Sequence, residues 1–152
     1  MTTVHTLLAV VASSSWAISQ MDVKNAFLHG NLKEEVYMQP PPGVDAPSSY
    51  GCRLRRALYG LKQAPHAWFE RFVSMIKAAG FTPSDHDPAL FIHLSSCGRT
   101  LLLLYVDDIL ITGDVVEHIS LVKQQFGEYF QMSDLDPLSY FLGIEVKQCA
   151  NG

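Results

Sequence analysis

Cysteine is scarce in this chain: three of 152 residues, Cys52, Cys97 and Cys149, with no CxxC pair and no histidine at ligand spacing. That excludes a disulfide-stapled secreted scaffold and a zinc finger or ribbon, and it predicts reduced thiols in an intracellular setting. Long apolar runs are also missing. The longest, Leu7–Ala12 and Leu101–Val106, have six residues each, where a membrane-spanning helix needs about 18 or more. The N-terminal segment imitates a signal peptide, yet no Lys or Arg precedes Lys24, so the basic n-region is absent; the segment reads as a helix entering a strand. Basic charge is short as well. Eleven Lys and Arg against fifteen Asp and Glu give a net charge of −4, and the whole chain exerts no general attraction on a polyanion.

What is present is the composition of a folded soluble domain: 48% hydrophobic, 17% charged and 11% aromatic residues. The length predicts one domain, able to bury roughly 68–70% of the surface of its unfolded chain. Pro65 at a helix start, apolar Phe69, Phe72, Val73 and Ile76, and Gly80 as a stop predict an amphipathic helix near 65–79. Asp114 with Glu117 three residues on predicts a capping box, opening a helix near 115–130 with Val115, Ile119, Val122 and Phe126 on one side. Strand-like runs lie at Trp16–Asp22, Glu35–Met38, Ala89–Leu94, Thr100–Val106, Ile109–Thr112 and Tyr140–Val146. Residues 39–51, rich in Pro and Gly, predict a stiff loop.

The charge is unevenly placed. Between residues 53 and 77, Arg53, Arg55, Arg56, Lys62, Arg71 and Lys77 face only Glu70, whereas residues 105–145 hold eight acids and one lysine. Two of those acids interrupt the apolar run Leu101–Thr112. A tight hairpin would set Asp107 and Asp108 at its apex. Two carboxylates about 4 Å apart repel by about 4 kcal/mol at an effective dielectric of 20, a cost that a bound divalent cation removes. Alternation along Trp16, Ile18, Gln20 and Asp22 makes Asp22 the end of a half-buried strand. If that strand lies beside the hairpin, three acids converge, as in two-metal phosphoryl or nucleotidyl transfer. The Asp85-His86-Asp87 triplet between Pro83 and Pro88 reads as a loop and not as a metal site.

Five blocks then carry a resemblance. Gln20-Met-Asp-Val-Lys-Asn-Ala-Phe-Leu-His-Gly30, Glu34-Glu-Val-Tyr-Met-Gln-Pro40, Leu58-Tyr-Gly-Leu-Lys-Gln-Ala-Pro-His-Ala-Trp68, Tyr105-Val-Asp-Asp108 and Tyr140-Phe-Leu-Gly-Ile-Glu145 stand in the order and approximate spacing of copia-type LTR retrotransposon reverse transcriptases. The chain resembles that family along nearly its whole length. The resemblance implies an α+β, palm-type polymerase core: an antiparallel sheet backed by two helices, with part of the fingers and no thumb, as a single partial domain over 1–152. It implies RNA-directed DNA polymerisation with two Mg²⁺ ions, Mn²⁺ being able to substitute, held by Asp22, Asp107 and Asp108 as the catalytic acids. Phe27 would exclude a ribose 2′-OH, Lys62 and Gln63 would contact the nucleotide, and Arg53, Arg55, Arg56 and Tyr105 would meet nucleic acid.

The implied partners are an RNA or DNA template-primer, dNTP and the rest of the pol polyprotein (fingers, thumb, ribonuclease H and integrase), with no membrane. The implied location is intracellular, in cytoplasmic virus-like particles or the nucleus. One departure stands out: lysines usual in the family are replaced by Ser133 and Ser139, and a glycine by Asp136, so a lysine acting as general acid has no obvious bearer. A non-catalytic retroelement remnant, truncated and inactive in isolation, is the alternative.

Overall fold

The computed structural model describes residues 2–47, 49–58, 60–130, 132–134, 140–141 and 144–147. The chain is α+β and forms two compact units, residues 1–24 with 76–152 and residues 25–75. The larger unit opens with helix α1 (Thr2–Ser14) and strand β1 (Ile18–Val23), as the N-terminal pattern predicts. It continues through β4 (Thr82–Pro83), β5 (Leu90–Ser95), β6 (Gly98–Tyr105), β7 (Asp108–Gly113), helix α3 (Val116–Tyr129), β8 (Met132–Asp134), β9 (Tyr140–Phe141) and β10 (Ile144–Glu145). The unit of residues 25–75 holds a short 3₁₀ helix (Ala26–His29), β2 (Asn31–Met38), β3 (Cys52–Arg56) and most of α2 (Ala64–Ala78).

Six strands form an antiparallel sheet in the order β4-β5-β6-β7-β1-β8. β1 is therefore interior, flanked by β7 and β8, and its near-continuous burial follows from that position. Each face buries one parity of side chains. On one face Met21, Leu102, Leu104, Ile109 and Ile111 are buried, and α3 packs against β7 with Ile119, Val122 and Phe126 turned inward. On the other, Ile18, Leu103 and Leu110 join Val4, Leu7 and Val11 of α1 and Phe141 in one apolar cluster.

Some expectations change. The helix predicted to start on an Asp114 cap begins at Val116 with no side-chain cap. The Asp114 carboxylate instead accepts the Arg99 N–H at 2.6 Å across the β6–β7 pair, because β7 delivers Asp114 beside β6 before the helix can use it. The strand predicted over 140–146 is two short antiparallel strands, β9 and β10, with residues 142–143 outside those described; a glycine inside a strand pattern weakens the strand. Strands β3, β4 and β8 are not among the predicted runs: two are only two or three residues long, and β3 alternates arginine with half-buried residues.

In the unit of residues 25–75, β2 and β3 form a hairpin whose connection is the Pro-rich stretch. Gly30 precedes β2 where a Cβ would meet the backbone of Ala67 and Trp68 at 2.7 Å, so only glycine lets the chain pass α2 this closely. Cys52 and Cys97 are free thiols, and Cys149 lies outside the described residues. Among the described residues no helix is long and apolar enough to cross a membrane.

Candidate active site

The β6–β7 hairpin closes on the pair Tyr105↔Asp108, leaving Val106 and Asp107 as its two-residue turn. Val106 takes φ +54° and is 52% exposed. A positive φ suits the twist of a tight hairpin, but in a β-branched residue it is a strained conformation of the kind that gathers at functional sites. The apex is pinned from the side: the Val23 N–H donates to the Asp107 carbonyl at 2.9 Å. Just before it in β1, Asp22 pairs directly with Asp108. The turn and the neighbouring strand end thus bring Asp22, Asp107 and Asp108 to one place, with one carboxylate oxygen from each within 4.8 Å of the others. Among the described residues this is the one group of three or more potential ligands that comes together.

All three carboxylates are half-buried. Burial, then the charge of Asp107, pushes Asp22 above the usual carboxylate range, with Lys24 opposing. Asp108 is also pushed up, first by burial; the Gln20 hydrogen bond opposes this, and Asp107 and Asp22 add to it. These acids repel one another, and a hard, oxygen-seeking divalent ion supplies the charge that balances them. Oxygens around an octahedral Mg²⁺ at about 2.1 Å lie about 3.0 Å apart when adjacent and about 4.2 Å when opposite, so from separations within 4.8 Å the three carboxylates close on one ion by side-chain movements of up to about 2 Å. Arranged this way, the site can bind a divalent cation and stabilise charge on phosphate oxygens.

Tyr105 lies on the carboxylate face, 45% exposed, with its ring edge-on to Phe141 at 6.1 Å. The remaining predicted residues belong to the unit of residues 25–75. Phe27 is 8% exposed in the 3₁₀ helix. Lys62 is exposed just before α2, whose first turn has the Ala64 and Ala67 N–H groups bonded to the Leu61 and Gln63 carbonyls, so its ammonium is the feature there that favours phosphate. Gln63 donates to Glu34 at 3.5 Å, so its side chain bonds another strand and not the helix end. Arg53, Arg55 and Arg56 are exposed on β3, Arg53 paired with Glu35 at 3.5 Å. In the Asp85-His86-Asp87 loop, Asp87 accepts from Thr3 and from the Ala89 N–H, a structural role. Ser133 stands opposite Asp22 in the β1–β8 register, while Ser139 and Asp136 lie outside the described residues.

Sequence reasoning missed Gln20 as a member of the site. Its Nε2 donates to Asp108 Oδ1 at 3.4 Å. Alternation already puts it on the face of Asp22, but an uncharged residue gives no signal of its own.

The chain matches the family model described as "Reverse transcriptase (RNA-dependent DNA polymerase)" over residues 1–152. It is 42% identical over 154 residues to the retrovirus-related Pol polyprotein from transposon RE2 of Arabidopsis thaliana, covering 99% of this chain and 10% of that polyprotein. It is 39% identical over 149 residues to the corresponding polyprotein from transposon TNT 1-94 of Nicotiana tabacum, covering 96% and 11%. With the truncated transposon Ty1-A Gag-Pol polyprotein of Saccharomyces cerevisiae it shares 30% over 150 residues, covering 93% and 12%. The chain spans about a tenth of the length of these curated relatives. With the family matched from end to end and likenesses of this extent in transposon Pol polyproteins, the chain belongs to the reverse transcriptase (RNA-dependent DNA polymerase) family, of the copia type that its five sequence blocks resemble.

Proposed function

We propose that the chain is the palm-type core of an RNA-directed DNA polymerase that adds dNTP to a primer 3′-OH by two-metal nucleotidyl transfer. The observation that carries this reading is the meeting of Asp22, Asp107 and Asp108 at one end of the antiparallel sheet, their oxygens within 4.8 Å. In the reaction the primer 3′ oxygen attacks the α-phosphorus of the dNTP, the bond to the bridging oxygen breaks, and pyrophosphate leaves. Asp22, Asp107 and Asp108 would hold the divalent ions, Mg²⁺ with Mn²⁺ as substitute, which when bound activate the nucleophile and neutralise the leaving group.

The chain's other residues bind and orient. Exposed Lys62, at the start of α2, suits the triphosphate. Gln63 and Phe27 stand on the nucleotide side of the reading, Phe27 as the aromatic that excludes a ribose 2′-OH. Exposed Arg53, Arg55 and Arg56 suit nucleic-acid phosphates, and Tyr105 the primer end. The template-primer, the dNTP, the other parts of a pol polyprotein and a location in cytoplasmic particles or the nucleus belong to the same proposal.

Primer extension on poly(rA)·oligo(dT) with dTTP tests it, using the chain alone and within its polyprotein, each beside Asp107→Asn. Incorporation that the substitution abolishes supports the reading. Equal incorporation by both overturns the role of Asp107, and none in either context favours the non-catalytic remnant.

A further inference from the structure

The carboxylate face of the sheet is apolar along most of its length, with Ile18, Leu103 and Leu110 buried beneath α1. Gln20 interrupts that stripe. It stands two residues before Asp22 on β1, so both side chains leave the strand on the same side. It pairs in register with Leu110, which makes Asp108, two positions earlier on β7, its diagonal cross-strand neighbour. Its carboxamide crosses that diagonal to donate to Asp108 Oδ1 at 3.4 Å. A half-buried amide among aliphatic side chains costs free energy unless a partner meets it, and the partner here is one of the three clustered acids.

We propose that Gln20 is a positioning residue for the metal centre: by bonding Asp108 Oδ1 it holds that carboxylate aimed into the space shared with Asp22 and Asp107. This rests on the cation-binding reading of the three aspartates. A neutral amide suits the task chemically. A lysine there would neutralise the charge that attracts the cation, a glutamate would add a fourth like charge, and an aliphatic residue would leave the carboxylate free to rotate. Partners that orient ligating carboxylates in this way are worth on the order of 10–100-fold in metal affinity.

Mn²⁺ titration of the full chain, followed by electron paramagnetic resonance, tests the assignment in wild type, Gln20→Met and Asp107→Asn, with metal-free melting temperatures alongside. The expected result is that wild type binds, Asp107→Asn loses binding, and Gln20→Met binds about 10-fold or more weakly while melting like wild type without metal. Wild-type Mn²⁺ affinity in Gln20→Met, with Asp107→Asn impaired, overturns the role of Gln20 and leaves the metal centre standing. Failure of wild type to bind, or unimpaired binding by Asp107→Asn, overturns the metal centre and this inference with it. If Gln20→Met does not fold, the side-chain amide signal of Gln20 in the unmutated chain decides. It moves on addition of Mg²⁺ if the amide holds a ligating carboxylate, and its failure to move while the aspartate carboxyl signals respond overturns the proposal.

Discussion

Replacing Asp107 by Asn should make the metal-free chain more stable and the metal-loaded chain less so. The three carboxylates have oxygens within 4.8 Å of one another, and at that distance a pair of unit charges repels by about 0.9 kcal/mol at the dielectric of water and about 3.5 kcal/mol at an effective 20. All three groups are half-exposed, so solvent screening holds each pair near the lower figure. The substitution removes two of the three pairs, a gain of about 1–2 kcal/mol, which for a domain of this size raises the metal-free melting temperature by about 2–8 °C.

Mg²⁺ at 100 times its dissociation constant stabilises the wild type by about 2.7 kcal/mol through binding only the folded state, and should do little for the variant. Differential scanning fluorimetry in EDTA and in a Mg²⁺ series therefore gives two curves that cross. If Asp107→Asn melts below wild type in EDTA, the carboxylates are not in mutual repulsion. If both proteins gain equally from Mg²⁺, Asp107 is not part of a cation site, and the electrostatic reasoning fails.

Three further outcomes follow from other parts of the molecule. His118 stacks on His93 with ring centroids 4.1 Å apart and shares a 2.7 Å hydrogen bond with Thr100; burial, then His93, lowers its pKa. A histidine depressed in the folded state contributes stability above its unfolded value near 6.5 and loses it as pH falls through the window below. Melting temperature should thus drop between pH 7 and 5, and His118→Gln should shrink that drop; an unchanged slope would count against the assignment. Asp87 is held low by its bond from Thr3, then by the Ala89 N–H. Its contribution is present above the unfolded value near 3.8 and lost as pH falls through the lower folded value. Asp87→Asn should cost about 1–2 kcal/mol at pH 7 in urea denaturation and nothing once the acid is protonated. Gly30→Ala must push its new methyl into the backbone of Ala67 and Trp68 and should cost about 1–3 kcal/mol, read as an earlier urea midpoint; a neutral result would mean that α2 yields at no cost.

Much of the fold was legible because its signals are local. The apolar spacing of Phe72 and Ile76, closed by Gly80, suffices for α2, and the alternation of Ile18, Gln20 and Asp22 suffices for β1. The failures come where a longer-range partner outcompetes a local one. Asp114 has the sequence of a helix cap, but the β6–β7 pairing offers it the Arg99 N–H first. β8 has too few residues for a periodic signal and exists because the edge of β1 needs a partner. The odd pair of acids inside Leu101–Thr112 was visible as an electrostatic cost before any neighbour was known.

The sequence by itself determined the inventory of this protein: scarce cysteine, no membrane-length apolar run, five blocks of one enzyme family, and three aspartates, one at a strand end and two at a hairpin apex. Periodicity and like-charge repulsion act over a few residues, so they can be read along the chain. The tertiary structure decided which strands lie side by side. It set β1 against β7 with Asp22 opposite Asp108, tied Asp107 to Val23 through the backbone, and set Gln20 on the diagonal to Asp108. Those pairings join residues more than 80 positions apart, and no local pattern specifies a register between segments that meet only when the core beneath them closes.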